Sequence, residues 1–342
     1  MLHINLKTVA LVAIGMLLTV GLGSCANDPE EPNNEIHDKL HEDPVKMTVQ
    51  LVECHLHSDW NKIQEQGGPH QNPESPAKFM KKVQEVSYEL DKDKGWIPSK
   101  GSQKGFFVIR SGDYRIENSF TPAPVYLVFI NYYNAKGELI NGEFMTNGQE
   151  NIHQHFFTAE NITRATSRAL KLGDKVMDYL YVDTDPWDKT VHGDHAKLIG
   201  KTNPIGFKGV VRFMQSNVKF DLRIRLYHGY KSKIDPKTKT FSPFDDPAKV
   251  LIQRGTWDVN MSIPVVVYLD RETDLDGDNE LVMNISDDTD LSTIPEDSLD
   301  KEGNRIVHQI MDAFGISWRE ALEEYVDYTY RGGDVEAGGI WL

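Results

Sequence analysis

The chain has 342 residues, a net charge of −15 and 39% hydrophobic residues. That length accommodates two or three modest domains, and the negative surplus excludes nucleic acid as a partner, because no basic face is present to displace phosphate counterions. Two cysteines in the whole chain exclude a disulfide scaffold, so the fold must stand on packing.

Behind Lys7, Thr8 to Gly23 is an almost unbroken apolar run, too short to span a bilayer comfortably. It ends in Leu22-Gly23-Ser24-Cys25: an aliphatic residue, two small residues and a cysteine. This resembles the lipobox of bacterial lipoproteins, and the resemblance covers only the leader. It implies a signal peptide over 1–24 and a lipid on Cys25 that attaches the protein to a membrane. The following stretch, Ala26 to Glu35, is acidic and rich in Pro and Asn. It has little apolar surface to bury, which predicts a disordered tether over 25–45. Acidic residues directly behind the cysteine also resemble the surface-export signal of Bacteroidota lipoproteins, which implies the exterior face of the outer membrane. His37 and His41 stand four apart in this tether and are read as solvated. Cys54, between Val52 and Leu56, is read as a buried strand residue.

Residues 46–185 predict a first β-sandwich. Met47 to His57, Lys82 to Leu90, Gly105 to Arg110 and Val125 to Tyr133 are strand-like, and Asp91 to Gly95 reads as a hairpin loop. Asn147-Gly148 is a turn signal before His153. Asn161 to Leu172 suggests a short helix, and Lys175 to Val182 a strand. Residues 186–203 are taken as a linker.

Residues 204–290 predict a second sandwich. In Val218 to Tyr227, Val218, Phe220, Leu222, Ile224 and Leu226 alternate with charged residues, giving one buried face and one wet face. Trp257, Val259, Met261 and Ile263 repeat the pattern. The acidic loop Asp274 to Glu280 fits an EF-hand poorly, because Met283 would take the place of the bidentate glutamate. Residues 291–342 predict an acidic linker and a helical hairpin. Ile306, Ile310 and Phe314 form one stripe, and Trp318, Leu322 and Tyr325 another. Gly315 reads as a helix end and Ser317-Trp-Arg-Glu320 as a capping box. The predicted fold class is mainly β: two antiparallel, immunoglobulin-like β-sandwiches with a C-terminal helical hairpin.

The chemistry-bearing feature is a pair of His-x-His motifs, His55/His57 and His153/His155, with Glu53 on the face of the first. Imidazoles at i and i+2 of a strand share a face and suit zinc, copper or iron. The expectation is that the two pairs converge on one metal ion or on a metal chelate such as haem. His192 and His195, in a loop with Asp183, Asp185, Asp188 and Asp194, are additional candidate ligands, and His70 is a weaker one. No Walker A, Gly-x-Ser-x-Gly or His-Glu-x-x-His motif is present. The sequence therefore reads as a surface lipoprotein that captures a metal or metal chelate and passes it to an outer-membrane transporter. A glycan-binding surface protein using Trp60, Trp96 or Trp187 is the alternative. A metal-dependent enzyme and a purely structural zinc site are further readings.

Overall fold

The computed structural model describes residues 40–56, 59–71, 82–111, 124–164, 175–269, 289–326 and 340–342. In chain order the strands are β1 (Lys46–His55), β2 (His70–Gln71), β3 (Val83–Asp91), β4 (Gly95–Pro98), β5 (Phe106–Ile109), β6 (Pro124–Tyr133) and β7 (His153–Arg164). They continue with β8 (Met177–Tyr181), β9 (Thr184–Asp185), β10 (Lys197–Leu198), β11 (Lys208–Phe213), β12 (Val218–Gly229), β13 (Gly255–Leu269) and β14 (Ile340–Trp341). Helices α1 (Lys301–Phe314) and α2 (Trp318–Val326) lie between β13 and β14.

The strands form two main sheets. The first runs β14-β2-β1-β6-β11-β8, with β3 and β4 attached beside β1. The second runs β5-β13-β12-β7. Within β1 the odd positions Met47, Val49 and Leu51 enter the main core, and the even positions Val52 and Cys54 enter a smaller cluster on the other face. The main core also takes Phe157 from β7, Leu222, Ile224 and Leu226 from β12, and Met261 and Ile263 from β13. One apolar layer is thus filled from both sheets, and alternation decides which side chains reach it. Cys54 is fully buried, as its apolar neighbours imply.

The chain does not divide where the sequence suggests. β11, from the expected second sandwich, lies between β6 and β8 of the first, and β7, from the first, pairs with β12 of the second. Residues 40–342 form one compact unit instead. Alternation reveals which face of a strand is buried but not which strand covers it, so a polar stretch such as 186–203 passes for a linker. Two local expectations also change. β5 joins β13 in parallel rather than antiparallel, and Asn161 to Arg164 continue strand β7 rather than start a helix. His57, the rest of that expected helix and the Asp274 to Glu280 loop lie outside the described residues.

The helical hairpin agrees with its sequence signals. Asp300 caps α1 by accepting from the Gly303 amide at 2.6 Å, and Gly315 closes it with a φ of 65°. The Ser317 hydroxyl accepts from the Glu320 amide, while the Glu320 carboxylate accepts from the Ser317 amide at 2.9 Å, completing the capping box. Ile306, Ile310, Trp318, Leu322 and Tyr325 pack with Ile109 and Tyr268. The pair therefore covers the β5/β13 side of the second sheet.

Candidate metal centre

Four side chains meet at one end of the two sheets: His41, His153, His228 and Asp258. Each offers one ligand atom, and the four atoms lie within 4.8 Å of one another. His153 opens β7 and His228 stands near the end of β12, directly opposite it in the ladder. Opposed residues of an antiparallel pair carry their Cβ atoms about 5 Å apart, and the two imidazole centroids are 4.3 Å apart.

Asp258 reaches the same face through an irregularity in β13. Leu226 pairs with Val259 but Tyr227 pairs with Trp257, so Asp258 is an extra residue with no partner in the β12 ladder. A bulge of this kind re-aims side chains on either side of it. Val259 and Met261 face the main core, whereas Trp257 packs with Tyr227 and Phe156 in a separate cluster. The reading of Trp257 as part of the inward-facing series is thereby corrected. Strict alternation would put Asp258 on the face opposite Val259, away from the histidines.

His41 comes from the segment before β1. The sequence reads it as solvated, yet its side chain is completely buried. Its ring packs 4.2 Å from that of Phe144 and 4.9 Å from that of His153. A histidine in a polar stretch gives no sign of burial until Phe144 and the ends of β7 and β12 are brought around it.

The centre of the group is Oδ2 of Asp258. It lies 3.0 Å from His228 Nδ1, 3.6 Å from His41 Nε2 and 3.6 Å from His153 Nε2. Four N and O ligands bound tetrahedrally at about 2.0–2.2 Å are separated by roughly 3.3–3.5 Å from one another. The observed spacings bracket that edge.

Hydrogen bonding sets the tautomers. His153 Nδ1 lies 2.9 Å from the Gln149 carbonyl, and His41 Nδ1 lies 3.1 Å from that of Glu42. A carbonyl accepts only, so each Nδ1 carries a proton and donates, and in the neutral ring the Nε2 lone pair then faces the carboxylate. Backbone carbonyls holding the outer nitrogens of imidazoles are the usual support of metal-ligating histidines. The 3₁₀ turn Gln149–Asn151, entered through the left-handed Gly148, brings the Gln149 carbonyl into place. Burial holds the His153 imidazole below the ordinary histidine range, against the opposing pull of Asp258. Its Nε2 is buried without a hydrogen-bond partner. His228 Nδ1 is within hydrogen-bond distance of the same Asp258 oxygen, at 3.0 Å, so three imidazoles surround one buried carboxylate, an arrangement that a cation placed among them would satisfy.

The sequence-predicted ligands distribute differently. Among the described residues, His153 alone of them joins this group. His155 is fully buried two residues on, but both its nitrogens are occupied: Nδ1 donates to the Ile205 carbonyl at 2.8 Å, and Nε2 accepts from the Tyr132 hydroxyl at 2.7 Å. Burial pulls its pKa down to about 3. His155 is a neutral core residue, not a ligand. His192 and His195 are exposed on the loop after β9 and do not approach the group. Asp183, expected beside them, is buried elsewhere and accepts from the amides of Ile205, Gly206, Phe207 and Lys208 at 2.8–3.1 Å.

Nor does the backbone carry the His55 end of β1 to the second motif, and His57 lies outside the described residues. β1 and β7 belong to different sheets. Tyr132, the partner of His155, is opposite Met47 near the start of β1, and His55 is eight residues further along, roughly 26 Å at about 3.3 Å per residue. Strand alternation gives the face a histidine occupies but not the end of the sheet to which it is carried. Glu53 is buried at that far end, with the Tyr126 hydroxyl 3.4 Å away. The pairing of His153 with His228 and the bulge at Asp258 are products of the β7-β12-β13 register and have no motif in the sequence.

No protein-family model matches this chain, and neither a curated protein nor a solved structure matches it.

Proposed function

We propose that the protein binds a divalent transition-metal ion, with zinc the best fit, through Nε2 of His41, Nε2 of His153, Nδ1 of His228 and the carboxylate of Asp258. The observation that carries this reading is the inward-facing lone pair of His153 Nε2, buried beside the carboxylate at near-tetrahedral spacing. Three imidazoles and one carboxylate suit zinc, and copper competes for such a set. Imidazole centroids only 4.3–5.2 Å apart leave no slot for a porphyrin plane, so a bare ion replaces the chelate expected from the sequence.

All four coordination positions come from protein, which favours holding the metal over turning over a substrate. His41 and His153 are sealed, while His228 and Asp258 retain 9% and 6% exposure. That side is the route by which an ion enters and leaves. The lipobox at Leu22 to Cys25 and the acidic segment behind it support an outer-membrane lipoprotein facing the exterior, and capture for an outer-membrane transporter is the role that fits this address. A glycan-binding reading is weaker. Trp60 is buried beneath the Arg212 guanidinium, and Trp96 packs against the core. A permanently held structural zinc is favoured by the burial of His41 and His153, and slow exchange with a chelator would single it out.

The test is a zinc competition titration of metal-free protein. His153→Gln and Asp258→Asn should each weaken binding at this centre by at least about a hundredfold, beyond the range of outer-shell losses, with far-UV circular dichroism unchanged. Binding unaltered in both variants contradicts the assignment.

A further inference from the structure

His153 is the first residue of β7, and strand ends are where a ladder opens most readily. A ligand standing there keeps its aim only if the backbone beneath it is held. The end of β12 and the turn after it hold three consecutive carbonyls at this point. The Lys233 amide donates to the Asn151 carbonyl at 3.0 Å, the Gly229 amide to that of Ile152 at 2.9 Å, and the Lys233 side-chain amine to that of His153 at 2.9 Å. His228 directly precedes Gly229. The stretch that supplies one ligand therefore also grips the backbone of another.

The amine is the unusual member of this clamp. Lys233 is 0% exposed, and lysine is almost never sealed in this way unless its amine is engaged. A second hydrogen bond, of 2.6 Å, runs from Nζ to the Pro204 carbonyl, and the Phe241 ring centroid lies 5.7 Å from Nζ. Pro204 leads into a stretch that is itself pinned, because the amides of Ile205, Gly206, Phe207 and Lys208 donate to the buried Asp183 carboxylate. The Ile205 carbonyl in turn accepts from the His155 amide at 2.7 Å and from His155 Nδ1 at 2.8 Å. The amine thus ties the first peptide of β7 to a fixed post. An apolar side chain of the same length would fill the space without making either hydrogen bond.

We propose that Lys233 is a positioning residue for the metal centre: its amine fixes the carbonyl of His153, and with it the direction from which His153 Nε2 meets the ion. This rests on the assignment of the ion to His41, His153, His228 and Asp258. The Gln149 carbonyl holds the imidazole at Nδ1, and Lys233 holds the peptide that carries the imidazole, so ring and backbone are supported separately. Groups that orient a ligand without touching the metal govern how tightly the metal is held.

The experiment pairs a zinc competition titration with the visible absorption spectrum of the cobalt-substituted protein, on the full chain and its Lys233→Met, Lys233→Gln, Tyr132→Phe and His153→Gln variants. Lys233→Met should weaken zinc binding by about 10- to 100-fold, the range for loss of an outer support, and shift the cobalt d–d bands. Lys233→Gln keeps one donor and should fall between Lys233→Met and the native chain. Tyr132→Phe removes a core hydrogen bond beside His155 but none from the His153 backbone, and should alter neither readout. A role confined to stability would lower the unfolding midpoint of metal-free Lys233→Met and leave its zinc affinity and cobalt spectrum native. That result, with binding lost in His153→Gln, overturns the positioning role and leaves the metal centre standing. Binding unaltered in His153→Gln overturns the centre itself, and this proposal with it. Circular dichroism checks the fold of each variant, and where Lys233→Met does not fold, Lys233→Gln decides on the same two readouts.

Discussion

Two histidines two residues apart on one strand have opposite fates, and hydrogen bonding decides them. His153 spends Nδ1 on a backbone carbonyl and leaves Nε2 facing Asp258, whereas His155 has both nitrogens engaged. Tyr132→Phe removes the hydroxyl that donates to His155 Nε2. It should cost about 1–2 kcal/mol in urea unfolding while zinc affinity at the His153 centre stays unchanged. A large loss of zinc binding would show that His155 does more than pack. The same residue makes a pH prediction. His155 remains neutral in the fold down to about pH 3, whereas in the unfolded chain it takes a proton near pH 6.5. Between those values the unfolded state binds the extra proton, so stability is complete above pH 6.5 and falls as pH drops. In metal-free protein His155 alone should remove about 2 kcal/mol between pH 7 and pH 5. Denaturant midpoints at the two pH values measure it, and His155→Gln should flatten that part of the slope.

At the scale of elements, signals confined to one segment were readable and signals that depend on pairing were not. The capping box at Ser317, the helix end at Gly315 and the alternation of Val218 to Leu226 all depend on neighbours in sequence, and the structure contains them as read. The His153–His228 juxtaposition spans 75 positions, and the Asp258 bulge exists only in the register of β13 against β12. Cross-strand register is set by the packing of whole faces, so neither has a local signature. His153 was legible as a candidate because His-x-His marks a strand face. His41 was not, because its burial comes from distant elements. The bulge is open to a direct test. Deleting Thr256 removes the extra residue, restores alternation, pairs Asp258 with Tyr227 and turns its carboxylate to the opposite face. The expected outcome is loss of zinc binding at this centre with the far-UV spectrum of the sheets retained. Retention of tight binding there would mean that the bulge is not what positions Asp258.

For the whole molecule, one compact unit over 40–342 places the metal centre where the N-terminal segment joins the sheets. His41, five residues before β1, meets residues of β7, β12 and β13, so an ion bound as proposed would fasten the segment before β1 to the second sheet. The group gathers one carboxylate and three imidazoles from four separate parts of the chain, a convergence that the proposed ion would make favourable. The most direct test is an anomalous difference map from crystals of zinc-loaded protein, with data collected on either side of the zinc absorption edge. The account predicts a peak about 2.0–2.2 Å from His41 Nε2, His153 Nε2, His228 Nδ1 and an Asp258 oxygen. Full-occupancy zinc elsewhere in the molecule, with no anomalous density among these four side chains, would contradict it.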